Sequence, residues 1–202
     1  MMATIKDCRP GEVLISEAAI RTRLTELAAE LDADYAGRDL LLLGILNSGV
    51  MLMADLSRQL RNDRVEIAWI EMASFGAEGS ASGVIRMRSK PDLCSVGKNV
   101  VVVDCVALSG RTLDWTLAYI RCLGVASAAA LVLACDRGLL MPRGPARYAG
   151  FTIPTGPMAG YGVDYRGLYR NLPEIVSLLP AGEAASREAA PRERALAYLG
   201  QP

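Results

Sequence analysis

The hydrophobic pattern divides the chain into alternating helical and extended stretches. A helix is predicted from Ser16, a suitable N-cap, to about Tyr35, with Ile20, Leu24, Leu27 and Leu31 on one face. Gly37 supplies its stop. Leu40 to Leu46 is a continuous apolar run, as expected of a strand buried on both faces of a parallel sheet. It breaks at Asn47-Ser48-Gly49, and helical spacing resumes through Met51, Leu52, Asp55, Leu56 and Leu60. Val65 to Ala73 and Val84 to Arg88 read as strands. Between them, Ser74 to Gly83 is rich in small residues and fits a mobile lid or a plain hairpin loop, with mobility favoured. Residues 1–15 read as an irregular lead-in with one apolar piece, Val13-Leu14-Ile15.

The stretch from Asn99 to Leu113 organises the rest. Val100 to Val103 are β-branched, Ser109-Gly110-Arg111-Thr112 is a short polar loop, and Leu113, Leu117, Ile120 and Leu123 then recur at helical intervals. Strand, glycine loop and helix start together offer backbone N–H groups and a helix N-terminus to a phosphate. The same pattern also serves as an ordinary connection in a parallel sheet. Asn47-Ser48-Gly49 is a second loop of this kind, open to the same two readings. Ala128 to Ala134, Tyr148 to Ile153 and Leu172 to Leu179 read as further strands, with loops over Asp136 to Ala146 and Thr155 to Gly160. The order of elements predicts an α/β domain with a mostly parallel sheet over 1–180. Residues 181–202 are Ala-, Glu- and Arg-rich and are expected to form a tail, disordered or with a short helix over 192–199.

Composition narrows the chemistry. The 202 residues are 51% hydrophobic, with 22 Lys and Arg against 22 Asp and Glu. That argues against a disordered chain and against a nucleic-acid binder relying on a strong overall positive charge. No apolar run reaches a membrane span and the N-terminus has no signal-peptide core, so a cytoplasmic protein without a membrane partner is expected. The five cysteines are scattered, which favours reduced thiols over a zinc site. The chain has no histidine, so the commonest general base is absent. Carboxylates, Lys, Arg, Tyr, Cys or backbone groups must do whatever chemistry occurs.

Several segments, in one order over roughly 11–179, resemble the hypoxanthine-guanine phosphoribosyltransferases. They are Leu14-Ile15-Ser16-Glu17, Gly44-Ile45-Leu46-Asn47-Ser48-Gly49 with Ala54-Asp55-Leu56, Ala73-Ser74-Phe75-Gly76, and Gly97-Lys98-Asn99-Val100 leading into the central stretch. Gly160-Tyr161-Gly162-Val163-Asp164-Tyr165 and Tyr169-Arg170-Asn171-Leu172-Pro173 complete the set. The resemblance implies a type I phosphoribosyltransferase fold: a mostly parallel sheet flanked by helices, with a small hood over the base. It implies transfer from phosphoribosyl pyrophosphate to a 6-oxopurine, giving a nucleoside monophosphate and pyrophosphate, with Mg²⁺. It also implies a homodimer or homotetramer and a flexible loop that closes during catalysis.

Carried over residue by residue, the resemblance gives Asp104, Cys105, Ser109, Gly110, Arg111 and Thr112 as the ribose-phosphate site. Asn47, Ser48, Gly49 and Arg170 form the pyrophosphate site, with Asn47 where many relatives carry Lys. Asp164 and Asp104 are the metal carboxylates, and Ser74 and Phe75 belong to the closing loop, with Phe75 replacing a tyrosine. Gly156, Pro157 and Met158 are the base site. Three departures stand out. Cys105 replaces the second of two adjacent acids, and a small buried thiol is favoured for it over a reactive role. Leu108 stands where the family has the aspartate that assists proton transfer at the purine, so no catalytic residue is secure. Gly156 and Pro157 replace the lysine that bonds the 6-oxo group and the aromatic that stacks on the base. Phosphate-binding positions are kept while base and proton-transfer positions are altered. The expectation is an enzyme weak on standard purines or altered in its base. The alternatives are a silent protein that binds a nucleotide or phosphoribosyl pyrophosphate, and a regulatory subunit.

Overall fold

The computed structural model describes residues 8–75, 81–89, 95–136, 146–154, 156–180 and 196–197. The chain runs β1 (Cys8–Ile15), α1 (Glu17–Asp34), β2 (Leu40–Leu46), α2 (Val50–Ser57), β3 (Val65–Phe75), β4 (Ala81–Ser89), β5 (Asn99–Ala107), α3 (Arg111–Arg121), β6 (Ser127–Cys135), β7 (Tyr148–Thr152), β8 (Met158–Ala159), β9 (Ile175–Pro180) and β10 (Leu196–Ala197). The main sheet has the order β10-β7-β6-β5-β2-β3-β4. Its five inner strands, β7, β6, β5, β2 and β3, are parallel, and β4 and β10 add antiparallel edges. The predicted α/β architecture is therefore the one observed.

The apolar runs are continuous because both faces of the sheet are covered. On β5, Val101 and Val103 join a core with α1 and α2, whereas Val100 and Val102 pack with Leu113, Leu117 and Ile120 of α3. A strand with side chains of period two can bury every residue only between two such layers. Helix α1 starts as expected: the Ser16 hydroxyl accepts from the Ala19 N–H at 3.3 Å. Arg23 is buried on that helix and ties it to the sheet, donating to the Ala149 carbonyl at 2.9 Å and pairing with Glu26 and Glu30.

A second, three-stranded antiparallel sheet has the order β1-β9-β8. Two of its strands correct the sequence reading. Residues from Cys8 to Ile15 form β1 rather than an irregular lead-in, with Ile15 opposite Ile175 and Cys8 opposite Pro180. Pro10 and Gly11 disguised it. Proline is tolerated on an edge strand, and the register slips between Pro10 and Val13. The expected loop Thr155 to Gly160 contains β8, which pairs Met158 with Ser177 and Ala159 with Val176. Two residues flanked by Pro157 and Gly160 carry no readable period, so only pairing with β9 makes them a strand. The expected loop Ser74 to Gly83 is shorter, since β3 runs to Phe75 and β4 starts at Ala81; its residues 76–80, the turn at Pro91 and Asp92, most of the loop Asp136 to Ala146, and Thr155 lie outside the described residues. Of the expected tail, Leu196 and Ala197 are described, as β10 opposite Thr152 and Phe151 rather than a helical turn.

Candidate functional site

The C-terminal ends of β2 and β5 lie side by side, because the two strands pair in parallel from Leu40 opposite Asn99 to Gly44 opposite Val103. Ligands of open α/β sheets bind at these ends. The loop 47–49 after β2 and the turn 108–110 after β5 are thereby neighbours. Between them sits Asp104, only 7% exposed. Its Oδ1 accepts from the Ser48 hydroxyl at 2.6 Å and from the Cys105 N–H at 2.8 Å. Burial pushes its carboxyl up to about 6, against those two hydrogen bonds, which favour the charged form.

The turn after β5 delivers the chain into α3 at Gly110, whose φ of 68° is the left-handed conformation glycine adopts without strain. No side chain caps this helix. Its first N–H groups therefore face outward at the positive end of the helix dipole, beside the exposed Ser109 and Arg111. This arrangement suits a phosphate monoester.

Cys105 does not join this site. It is fully buried, and its thiol donates to the Tyr161 carbonyl at 3.1 Å. Burial, reinforced by neighbouring Asp104, holds the thiol well above its ordinary pKa, so it remains neutral. A side chain on the α1–α2 face of β5 cannot also present an acceptor to a ribose. Gly49 is likewise structural: its N–H goes to the Ile45 carbonyl at 2.9 Å, and a Cβ would press on the carbonyl oxygens of Ile45 and Val103. Asn47 is exposed, following a cis Leu46–Asn47 peptide. Leu108 is 39% exposed, with its apolar side chain at the turn after β5.

The segment 160–172 packs against the loop 47–49. Gly162, at φ 94°, lies so close to the Ser48 carbonyl that a Cβ would collide with it. Arg170 donates to the Gly162 carbonyl at 2.6 Å and pairs with Asp164 at 2.6 Å. The other Asp164 oxygen accepts from the Gly167 N–H at 2.6 Å. Both expected ligand-binding groups thus hold each other in this state. Gly162→Ala is expected to lower stability by roughly 1–3 kcal/mol. Gly167→Ala has the same kind of backbone, φ 85°, but nothing within 4 Å of an added Cβ, and should lose only ~1 kcal/mol. Urea unfolding of the two variants measures the difference.

Tyr161 was not singled out by sequence. It is buried, its hydroxyl donates to Asp55 at 2.7 Å, and its carbonyl takes the Cys105 thiol. Burial, with the hydrogen bond to Asp55, holds its phenol far up, so it acts as a neutral donor. The signal was its glycine neighbours, which let the backbone approach Glu174 on one side and Ser48 on the other. Met158 packs in the same core as Cys105 and Tyr161, so its side chain does not line an open site. Gly156 and Pro157 are exposed, and a Cβ on Gly156 would meet nothing within 4 Å. Ser74 and Phe75 end β3, and their side chains lie outside the description. A groove of about 450 Å³ between α1, α2 and the segment 170–173 includes Arg170 and Tyr161 but neither Asp104 nor any residue of 108–112. It lies beside the candidate site rather than forming it.

The family model for the phosphoribosyl transferase domain matches residues 14–166. The hypoxanthine-guanine phosphoribosyltransferase of Dictyostelium discoideum is 33% identical over 170 residues, covering 83% of this chain and 94% of that protein. The chain belongs to the hypoxanthine-guanine phosphoribosyltransferase family. The Bacillus subtilis protein of that name is 31% identical over 175 residues, covering 84% of this chain and 94% of its own length. A crystal structure of a hypoxanthine-guanine phosphoribosyltransferase from Bacillus anthracis, with HEPES in its active site, superposes with a TM-score of 0.77. It is 29% identical and covers 86% of this chain and 99% of its own. The fold of this family is that of the described residues: a parallel sheet between helix layers, with a small antiparallel sheet beside it. No helix among the described residues is long and apolar enough to cross a membrane.

Proposed function

We infer that the chain binds phosphoribosyl pyrophosphate and transfers its phosphoribosyl group to a purine-like base, releasing pyrophosphate and a nucleoside monophosphate. The observation that carries this reading is the buried Asp104, held between the loop 47–49 and the uncapped start of α3. A carboxylate raised to about 6 by burial is a costly group to keep in a fold that has no use for it. Its Oδ2 accepts no hydrogen bond among the described residues and is available to a ribose hydroxyl.

The 5-phosphate would rest on the N–H groups and hydroxyls of Ser109, Gly110 and Thr112, with Arg111 adding charge. Pyrophosphate would lie against Asn47 and the backbone N–H of Ser48. Arg170 would join it on leaving Asp164, a planar guanidinium suited to two phosphate oxygens. Among the described residues no group of three or more acidic, Cys or His side chains could hold a metal. Mg²⁺ is commonly held by one or two carboxylates together with substrate phosphates. Asp104, and Asp164 once released from Arg170, would be the carboxylates that hold it. Bound there, Mg²⁺ would neutralise charge on the departing pyrophosphate.

The base side of the site is the weak one. Leu108 has no proton to exchange, and Gly156 and Pro157 offer neither a side-chain hydrogen-bond donor nor an aromatic face. A slow reaction with hypoxanthine and guanine, or one with a different base, follows. The buried neutral Cys105 and the apolar Leu108 favour, as a second reading, a protein that binds the phosphorylated ligand without turnover. Pyrophosphate release from phosphoribosyl pyrophosphate and Mg²⁺ over a panel of purine and purine-like bases decides between them. Release with at least one base, scaling with protein concentration, is the expected outcome. No release with any base at high protein loading removes the transferase reading.

A further inference from the structure

We propose that Ser48 is a positioning residue: its hydroxyl orients the Asp104 carboxylate rather than contacting the pyrophosphate itself. This inference rests on the functional reading above. Three observations carry it. The Ser48 hydroxyl donates to Asp104 Oδ1 at 2.6 Å, a short charge-assisted bond joining residues 56 apart in sequence. The same oxygen takes the Cys105 N–H, so both donors hold Oδ1 and leave Oδ2 for the ligand. The backbone at Ser48 is fixed from the other side, because the α-carbon of Gly162 abuts its carbonyl oxygen.

These contacts close a ring. Ser48 holds Asp104, the next residue Cys105 holds the Tyr161 carbonyl, and Gly162, next to Tyr161, lies against Ser48 with no room for a side chain. The loop after β2, the end of β5 and the segment from 160 are thus locked to one another before any ligand arrives. In this ring the Cys105 thiol serves as a neutral donor. With its second acid position occupied by that thiol, the chain has one carboxylate at the end of β5, and its orientation decides whether a ribose diol is met. Ser48 supplies the only side-chain hydrogen bond to it among the described residues. Pre-organising one acceptor in this way lowers the ordering cost of ligand binding.

The test is a double-mutant cycle on the full chain with Mg²⁺ and phosphoribosyl pyrophosphate as the titrant, joined to ligand-free crystal structures. Ser48→Ala should weaken binding about tenfold in the wild-type background and less than about twofold in the Asp104→Ala background, with Ser48→Thr restoring affinity. In the ligand-free structures the Asp104 carboxylate should turn away in Ser48→Ala and stay in place in Ser48→Thr. An equal loss in both backgrounds would mean that Ser48 acts on the ligand directly, and the proposal would be wrong. An unmoved Asp104 carboxylate in Ser48→Ala would also overturn it. If the wild-type chain binds no phosphoribosyl pyrophosphate, the functional reading fails by itself, and the ligand-free structures still decide what Ser48 does.

Discussion

Asp104→Asn is expected to make the protein more stable and to weaken its hold on phosphoribosyl pyrophosphate. The carboxyl is buried and stands at about 6 in the folded chain, against an ordinary value of 3.8. A folded-state pKa above the unfolded one means that the native state binds the proton more tightly. Stability therefore falls as pH rises from about 3.8 to about 6 and stays level above that. The deficit at neutral pH is on the order of 2–3 kcal/mol. Asparagine removes the charge, and its amide oxygen can still accept from Ser48 and Cys105. A gain of roughly 1–3 kcal/mol at pH 7 follows, raising the melting temperature by ~2–10 °C, and it should vanish near pH 4. Affinity for phosphoribosyl pyrophosphate with Mg²⁺ should fall about 10–100-fold, because a charge-assisted acceptor is lost. In the wild type that affinity should itself weaken below about pH 6, as the carboxyl gains its proton, and in the variant this dependence should be absent. Melting curves and titrations across pH 4–8 provide both readouts. A variant that is less stable at pH 7, or that binds as well as the wild type, would show that Asp104 is a structural acid.

The second large effect is a gain. Leu108 is partly exposed at the turn after β5, so an acid there carries little desolvation penalty. Leu108→Asp is expected to raise the rate of pyrophosphate release with hypoxanthine or guanine by ~10²-fold or more, the usual contribution of a placed general acid or base. Its effect should appear in kcat far more than in KM, because the added group acts on the reacting proton rather than on binding. Cys105→Asp should not do the same. That side chain is fully buried against Tyr161, and a carboxylate there would lack a donor of its own and lie beside Asp104. An unchanged rate in Leu108→Asp over the whole base panel would mean that no base is seated beside the turn at 108–110.

Local pattern explains why some of the fold could be read and some could not. Leu40 to Leu46 and the run from Val100 are strands because both faces of the sheet are covered, and that condition writes a continuous apolar run into the sequence. Helix α1 announced itself through Ser16 and a four-residue stripe. The antiparallel β1-β9-β8 sheet did not, because Pro10, Gly11 and a two-residue β8 carry no period, and β1 depends on a partner strand more than a hundred residues away. The site divides along the same line. The glycine loop before α3 is a local signal and was legible. The Ser48–Asp104 bond spans 56 residues and the Cys105–Tyr161 contact another 56, and neither has a local signature. Cys105 is the core thiol that its residue type favoured, while the resemblance alone placed it among the ribose-phosphate contacts. Likewise Ser48 and Gly49 read as one phosphate loop, while the structure gives one a carboxylate to hold and the other a tight packing position.

The claim on which the rest depends is that the end of β5 and the start of α3 form one site for a phosphoribosyl pyrophosphate group. Titration calorimetry of the full chain with phosphoribosyl pyrophosphate and Mg²⁺ measures it most directly. The structure predicts saturable binding at one site per chain, displaced by a nucleoside monophosphate and strongly weakened in Asp104→Asn. No heat at millimolar ligand, or the same isotherm in Asp104→Asn, would contradict it.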